Sequence, residues 1–185
     1  DKPIHIKAKV VVKRGDVLID LTGSDRQVEG PMNSTYAQTY SAVAYPLKAL
    51  IPVDIPINDG FYRMVKLKAP KGSVVNCEFP GPVVGGWEVG QKTTEAVFRA
   101  FFKAMPERVA GETKKTILHI AFGGVDPRSG ERYVFLETMA GGYGGRSTKD
   151  GPDAVQSHHQ NTENSPVEEL EVGYPVLILR YDLLA

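Results

Sequence analysis

The sequence predicts an α+β fold with mixed, mainly antiparallel strands and two main helices. Three observations carry this. Short segments alternate apolar and polar residues, which is the period of a half-buried strand. Two longer segments repeat apolar residues three or four apart, which is the period of a helix face. Neither a βαβ alternation nor a sandwich-like train of strands runs through the chain. Its 185 residues, 42% of them hydrophobic, are enough for one ordinary domain with a core.

Ile4–Lys13 alternates, Arg14-Gly15-Asp16 is turn chemistry and Val17–Leu21 returns, so a β-hairpin opens the chain. His5 lies on its polar side as a solvated residue. A polar loop then runs from Asp20 to Asn33. A helix over Thr35–Leu50 gathers Tyr36, Tyr40, Val43, Ala44, Leu47 and Ile51 into one stripe, with Asn33 or Ser34 as its cap. Pro46 inside it removes an N–H and is expected to kink or split it. Residues 54–60 form a turn-rich loop, and Met64–Ala69 a strand with Lys66 and Lys68 on its wet face. The second helix, Val89–Met105, buries Thr94, Val97, Phe98, Phe101, Phe102 and Met105. It turns Gln91, Lys92, Glu95, Arg99 and Lys103 to water, and Pro106 ends it. Thr116–Phe122 and Arg132–Thr138 are strands joined by a glycine-rich turn, with His119 facing away from Leu118 and Ile120. Residues 140–145 are rich in glycine, 150–164 are polar, and Val176–Leu183 reads as a last strand.

Composition excludes several classes. Lys plus Arg and Asp plus Glu both number 22, so there is no basic excess of the kind that tracks nucleic-acid phosphates. No apolar run approaches the roughly 20 residues of a membrane span, and no signal peptide opens the chain. The one cysteine, Cys77, stands among Val74, Val75 and Phe79 and reads as a buried structural thiol. A reducing, cytoplasmic setting is the expectation.

Three stretches could hold chemistry. Met139–Arg146 is a glycine-rich loop that lacks the Lys-Ser/Thr ending of a phosphate-binding loop; it is a tight loop near a site or a plain turn. Ser157–Asn164 holds adjacent histidines and amides, suited to hydrogen-bonding a small polar substrate or to a solvated loop. Asp20–Asn33 crowds acids and amides at a strand end. A metal hydrolase built on His119, His158 and His159 would require those three to converge.

These segments, in this order, resemble the hydantoinase B family. Asp20-Leu-Thr-Gly-Ser-Asp-x-Gln-Val-x-Gly-Pro-x-Asn33 is similar to its DxTGTDPQVxGPxN signature. Asp54-Ile-Pro-Ile-Asn58-Asp-Gly60 with Arg63 is similar to its DIPxNxGxxR loop, and Phe122-Gly-Gly-x-Asp126-Pro-Arg-x-Gly130 to its FGGxDPRTG hairpin. Glu137-Thr-x-Ala-Gly-Gly-x-Gly144, with Asp150-Gly151, His158, Asn161-Thr162, Asn164 and Pro166-Val-Glu168, is similar to its ETxAGGxGA…DG…HxxNTxNTPxE stretch. One segment departs: Trp87 in Gly85-Gly-Trp-Glu-Val-Gly-Gln91 stands where the more frequent GGNxETSQ form has a polar residue.

The resemblance implies part of the catalytic B-type subunit of an ATP-dependent cyclic-amide hydrolase, of hydantoinase or 5-oxoprolinase type. The alternatives are a subunit of an acetone/acetophenone-type carboxylase, or a non-catalytic segment that scaffolds the partner. It implies a hydantoinase A-like partner that binds ATP and phosphorylates a small-molecule substrate, an oligomeric assembly, and a divalent metal, zinc or manganese, in the complete enzyme. The family's metal ligands precede the hairpin with which this chain opens, and a Gly-rich DSGGxGxxRGG segment follows the region where it closes. Residues 1–185 are therefore expected to form a single segment of a larger subunit, holding neither metal nor ATP and inactive alone. Carried over to this sequence, His158 is the catalytic candidate, to polarise a carbonyl or shuttle a proton, the usual work of an imidazole. Asn33, Arg63, Gly141, Gly142 and Asn161 are the substrate-binding candidates, and no metal ligand is assigned.

Overall fold

The computed structural model describes residues 2–183. Strands β1 (Lys9–Lys13) and β2 (Asp16–Asp20) form the expected hairpin, with Val10 opposite Ile19 and Val12 opposite Val17. The strand begins later than its alternation does. Residues ahead of it bond instead to the polar loop, where His5 N donates to Asp25 Oδ2 at 2.7 Å and Lys7 N to Ser24 Oγ at 3.0 Å.

Helix α1 (Tyr36–Leu50) is capped by Thr35, not by Asn33 or Ser34; the Gln38 N–H donates to the Thr35 side chain. It runs unbroken through Pro46, which is buried. The helical donor that proline lacks is replaced from outside, because Thr94 Oγ1 donates to the stranded Ala42 carbonyl at 2.8 Å. Helix α2 (Asp59–Met64), a short turn capped by Asn58, was not expected; it overlaps the end of the expected loop at 54–60 and the first residue of the expected strand. Strand β3 (Val65–Lys68) follows it at once and pairs parallel with β2, so α1 and α2 make a crossover between parallel neighbours. The strand lies within the expected Met64–Ala69, but its parallel partner is not legible, because a local alternation does not say which strand it pairs with.

Helix α3 (Gly86–Phe102) starts and ends three residues earlier than its apolar pattern. Its first turn packs so closely on the start of α1 that a Cβ at Gly86 would strike Gln38 Oε1 and Asn33 O. The core lies between α1, α3 and the three-stranded sheet. It holds Ile19, Leu21, Val43, Leu47, Val65, Val75, Val97 and Phe101. Phe102, expected inside, is half exposed at the helix end. Cys77 is half-buried rather than buried, and its neighbour Phe79 is open to water.

Strands β4 (Leu118–Val125) and β5 (Arg132–Met139) form a separate antiparallel hairpin. A short helix α4 (Val167–Gly173) follows the polar loop. Val176–Leu183, expected as a strand, is irregular: Ile178 N donates to Glu171 Oε1 at 2.8 Å, a side chain in place of a ladder partner. No helix among the described residues is long and apolar enough to cross a membrane.

Candidate functional site

One face of α3 carries Gln91, Thr94, Glu95 and Phe98, spaced as neighbours on a helix surface. Helix periodicity puts Gln91 and Glu95 in water. Both are buried, because the loop around His158 covers them and supplies partners. Gln91 Nε2 donates to the His158 carbonyl. Glu95 Oε1 accepts from Thr113 N at 2.9 Å and Thr113 Oγ1 at 2.7 Å, and lies 3.5 Å from His158 Nε2. On the other side of the ring, Nδ1 is 3.1 Å from the Tyr45 hydroxyl, which α1 supplies.

His158 is 6% exposed. Its ring is held by Phe98, Tyr45 and Tyr143, at centroid distances of 4.9, 5.1 and 5.3 Å. Tyr143 reaches it from the glycine-rich loop, and here the glycines have a specific use. Gly111 N donates to Gly145 O at 2.7 Å, and Tyr143 N to Pro152 O at 3.1 Å. Three backbone segments therefore touch. A Cβ on Gly144 would come within 2.6 Å of the Gly111 carbonyl carbon, and one on Gly151 would collide with Tyr143 O. Gly141 and Gly142 belong to the same crossing. The Gly142 carbonyl accepts from Lys114 N at 3.3 Å, and the Lys114 stem lies over Gly141.

His159 takes a positive φ of 63°. The turn brings it back against Tyr45, with centroids 5.0 Å apart, and sets Nε2 2.5 Å from Thr94 Oγ1. In a regular strand the two histidines would diverge; in this loop they share one tyrosine.

Electrostatics gives each group a state. Burial pushes the Glu95 carboxyl up, but hydrogen bonds from His158 and Thr113 outweigh it and hold the group below its ordinary value. Glu95 is thus ionised. Burial, then the neighbouring Tyr143, drives the Tyr45 phenol well above its ordinary range, so it keeps its proton and donates to Nδ1. That leaves Nε2–H of His158 facing Glu95. His159 is exposed as a residue, yet its inserted ring edge is desolvated. Burial first and the neighbouring His158 second lower it to about 4.

Tyr45, Phe98, Tyr143 and His158 line a cavity of about 240 Å³, with Arg108 and Arg146 at the same wall. The other expected residues lie apart from the His158 ring. Asn33 is fully buried, and its amide is taken up by the loop: Oδ1 accepts from Val28 N, and Nδ2 donates to Val28 O, Gly30 O and Pro82 O. Arg63 is exposed on α2 and paired with Asp59 at 2.9 Å. Asn161 is exposed on the loop beyond His158.

His119 packs edge-on against Trp87, with centroids 5.7 Å apart. Among the described residues no three His, Cys, Asp or Glu side chains converge as a metal site. The divalent metal implied by the resemblance has no ligand set among the described residues. Sequence reasoning missed Tyr45, Glu95, Thr113 and Tyr143. The available signal was the polar and aromatic spacing Gln91, Thr94, Glu95, Phe98 beside an apolar stripe.

Comparison with known proteins agrees with this architecture. The family model for hydantoinase B/oxoprolinase matches residues 1–185. The B-type subunit of a putative D-/L-hydantoinase from Pseudomonas sp. (strain NS671) is 34% identical over 190 residues, covering 98% of this chain and 31% of its own. The crystal structure of an ATP-dependent caprolactamase from Pseudomonas jessenii matches with a TM-score of 0.81 and 28% identity, over 97% of this chain and 32% of that one. An acetone carboxylase in nucleotide-free form shares the fold, with a TM-score of 0.76 at 20% identity, over 93% of this chain and 24% of that one. The chain spans about a third, or less, of the length of these relatives. With the family's pattern running from its first residue to its last, the chain belongs to the hydantoinase B/oxoprolinase family.

Proposed function

We propose that this chain is part of the B-type catalytic subunit of an ATP-dependent cyclic-amide hydrolase, and that the ring amide is opened beside His158. The observation that carries the reading is the Tyr45–His158–Glu95 chain at the wall of the cavity, with His158 and Glu95 buried. Support also comes from relatives named hydantoinase and ATP-dependent caprolactamase. In this reading water adds to the amide carbon and the C–N bond breaks. Nδ1 of His158 takes the water's proton through the Tyr45 hydroxyl, ionised Glu95 offsets the imidazolium so formed, and the same proton returns through Tyr45 to the leaving nitrogen. Gly141 and Gly142 shape the wall through the loop that carries Tyr143, and Asn161 offers the substrate a polar contact. Asn33 and Arg63 lie outside the reacting centre and serve loop and surface. An A-type partner that binds ATP, a divalent metal held elsewhere in the complete enzyme and a cytoplasmic oligomer belong to the same proposal.

His158→Ala in the full-length subunit, assembled with its partner, tests it. Turnover of a hydantoin or lactam is expected to fall by about 10²–10⁴-fold with assembly intact, the usual size of a general acid–base contribution. Unchanged turnover would overturn the reading in favour of a scaffolding segment.

A further inference from the structure

We propose that the trough between the outer edge of β1 and helix α3 is a docking site for an extended segment of the ATP-binding partner, one that alternates apolar and acidic residues. The inference rests on the proposed function for the existence of that partner. It goes beyond that reading by placing a contact with it on a part of the chain that the reaction does not use.

Strand β1 lies at the edge of its sheet, whose order is β1-β2-β3. Residues 4–8 continue its alternation, with Ile6 and Ala8 packed on the core and His5 and Lys7 exposed. The backbone of His5 and Lys7 is bonded to the polar loop: His5 O accepts from Asp25 N at 3.0 Å, and Lys7 N donates to Ser24 Oγ at 3.0 Å. Alternate residues of an extended chain turn their N–H and C=O to the opposite edge. Those of Ile4, Ile6 and Ala8 make no backbone hydrogen bond among the described residues. All three line the trough. A row of free donors and acceptors of this kind takes up another strand.

The far wall belongs to α3 and the residue that follows it. Lys92, Ala96, Arg99 and Lys103 recur there at helical spacing, above a trough of about 640 Å³. Lys and Arg outnumber acids along it, and both acids are already engaged. Glu112 is paired with Arg99 and Lys115, and Glu95 accepts from Thr113 beside His158. Lys7, Lys9, Lys92 and Lys103 have no ion pair among the described residues, in a chain whose formal net charge is zero. That local excess of positive charge fits an acidic occupant. The free backbone edge fits a polypeptide, because a nucleic acid or a lipid headgroup has no peptide ladder to offer. A second copy of this strand would set Lys7 and Lys9 against lysines, and like charges on facing strands repel. The span from Ile4 to Val10, about 20 Å at the rise of a strand, matches an ordinary strand of about six residues.

The test is hydrogen exchange in the full-length subunit, alone and assembled with its partner. The amides of Ile4, Ile6 and Ala8 are expected to exchange freely in the lone subunit and to slow at least about tenfold on assembly, as amides in a ladder do. Lys92→Glu with Lys103→Glu reverses charge on the helix wall without altering those amides. It is expected to abolish the slowing at the partner concentration that produces it in the wild type, whereas Lys92→Arg with Lys103→Arg keeps it. An unchanged thermal midpoint shows that the reversed variant is folded; if the midpoint falls, Lys92→Gln with Lys103→Gln is read in its place. Amides already slow in the dilute lone subunit would mean that its own chain fills the trough. Slowing that follows the concentration of the subunit alone would mean a second copy. Either overturns the inference, as does an edge that stays open in the assembly or slowing that the reversed charges leave intact. The two readings separate in the same samples. An edge that closes on the partner, beside a His158→Ala enzyme of full turnover, keeps this inference and removes the catalytic reading. An edge that stays open, beside an inactive His158→Ala enzyme, removes this inference alone.

Discussion

At the scale of single residues, His159 gives the clearest pH signature. Its folded-state value is depressed from 6.5 to about 4 by burial and by His158. Between those values the unfolded chain binds a proton that the folded chain refuses. The stability His159 contributes is therefore complete above pH 6.5 and is lost as the pH falls toward 4. His159→Asn should flatten the dependence of the unfolding midpoint on pH across that window, since asparagine accepts the positive φ and carries no charge. An unaltered slope in the variant would show that the ring is solvated when folded. Glu95 shares the direction at a lower pH. Its value is held down when folded, so its contribution is present above the ordinary carboxylate range and is lost as the pH falls through the folded value.

At the scale of elements, α1 and α3 are joined by a bond that neither helix makes alone. Pro46 leaves the Ala42 carbonyl without its helical donor, and Thr94 of α3 supplies one. Thr94→Val keeps the shape and removes the donor. It should cost about 1–3 kcal/mol, the penalty of a buried carbonyl left unpaired, read from the denaturant midpoint of the full-length subunit. The elements legible in the sequence were those set by short-range periodicity: the first hairpin, α1, the body of α3 and the second hairpin. Strand β3 was legible too, within Met64–Ala69; the short helices α2 and α4 were not, because six or seven positions carry too little of a helical period. Nor was the burial of Gln91 and Glu95. The group that covers them is the His158 loop, far along the chain, and helix periodicity alone sets polar residues against water. His158 itself was legible through the family resemblance, whereas Tyr45 and Glu95 emerged only once α1, α3 and the loop were in place.

At the scale of the molecule, the β4–β5 hairpin stands out as half-covered. One face receives Tyr174 against Tyr133 and Phe135, at centroid distances of 5.8 and 5.1 Å. The opposite face shows Ala121, Val125, Val134 and Leu136, and Val134 and Leu136 are 79% and 63% exposed. A two-stranded hairpin is marginal by itself, and an aliphatic face of this kind is a contact surface. The relatives are about three times as long as this chain, and the face is expected to be covered in the full-length subunit. Val134→Lys with Leu136→Lys in the full-length subunit should lower the yield of the assembled enzyme, measured by size-exclusion chromatography. Normal assembly of the variant would show that the face meets only water.

The donor that Thr94 lends to α1 reaches further than the helix it repairs. A threonine hydroxyl has a single hydrogen, and that hydrogen is committed to Ala42. Toward His159 the same oxygen can therefore only accept, so Nε2 of His159 must carry the hydrogen it shares. The neutral ring is fixed as one tautomer of two, and its lone pair is left on Nδ1. Any proton that His159 takes up in acid enters there. A proline buried in one helix thus decides, through two hydrogen bonds, which nitrogen of a distant loop histidine is basic.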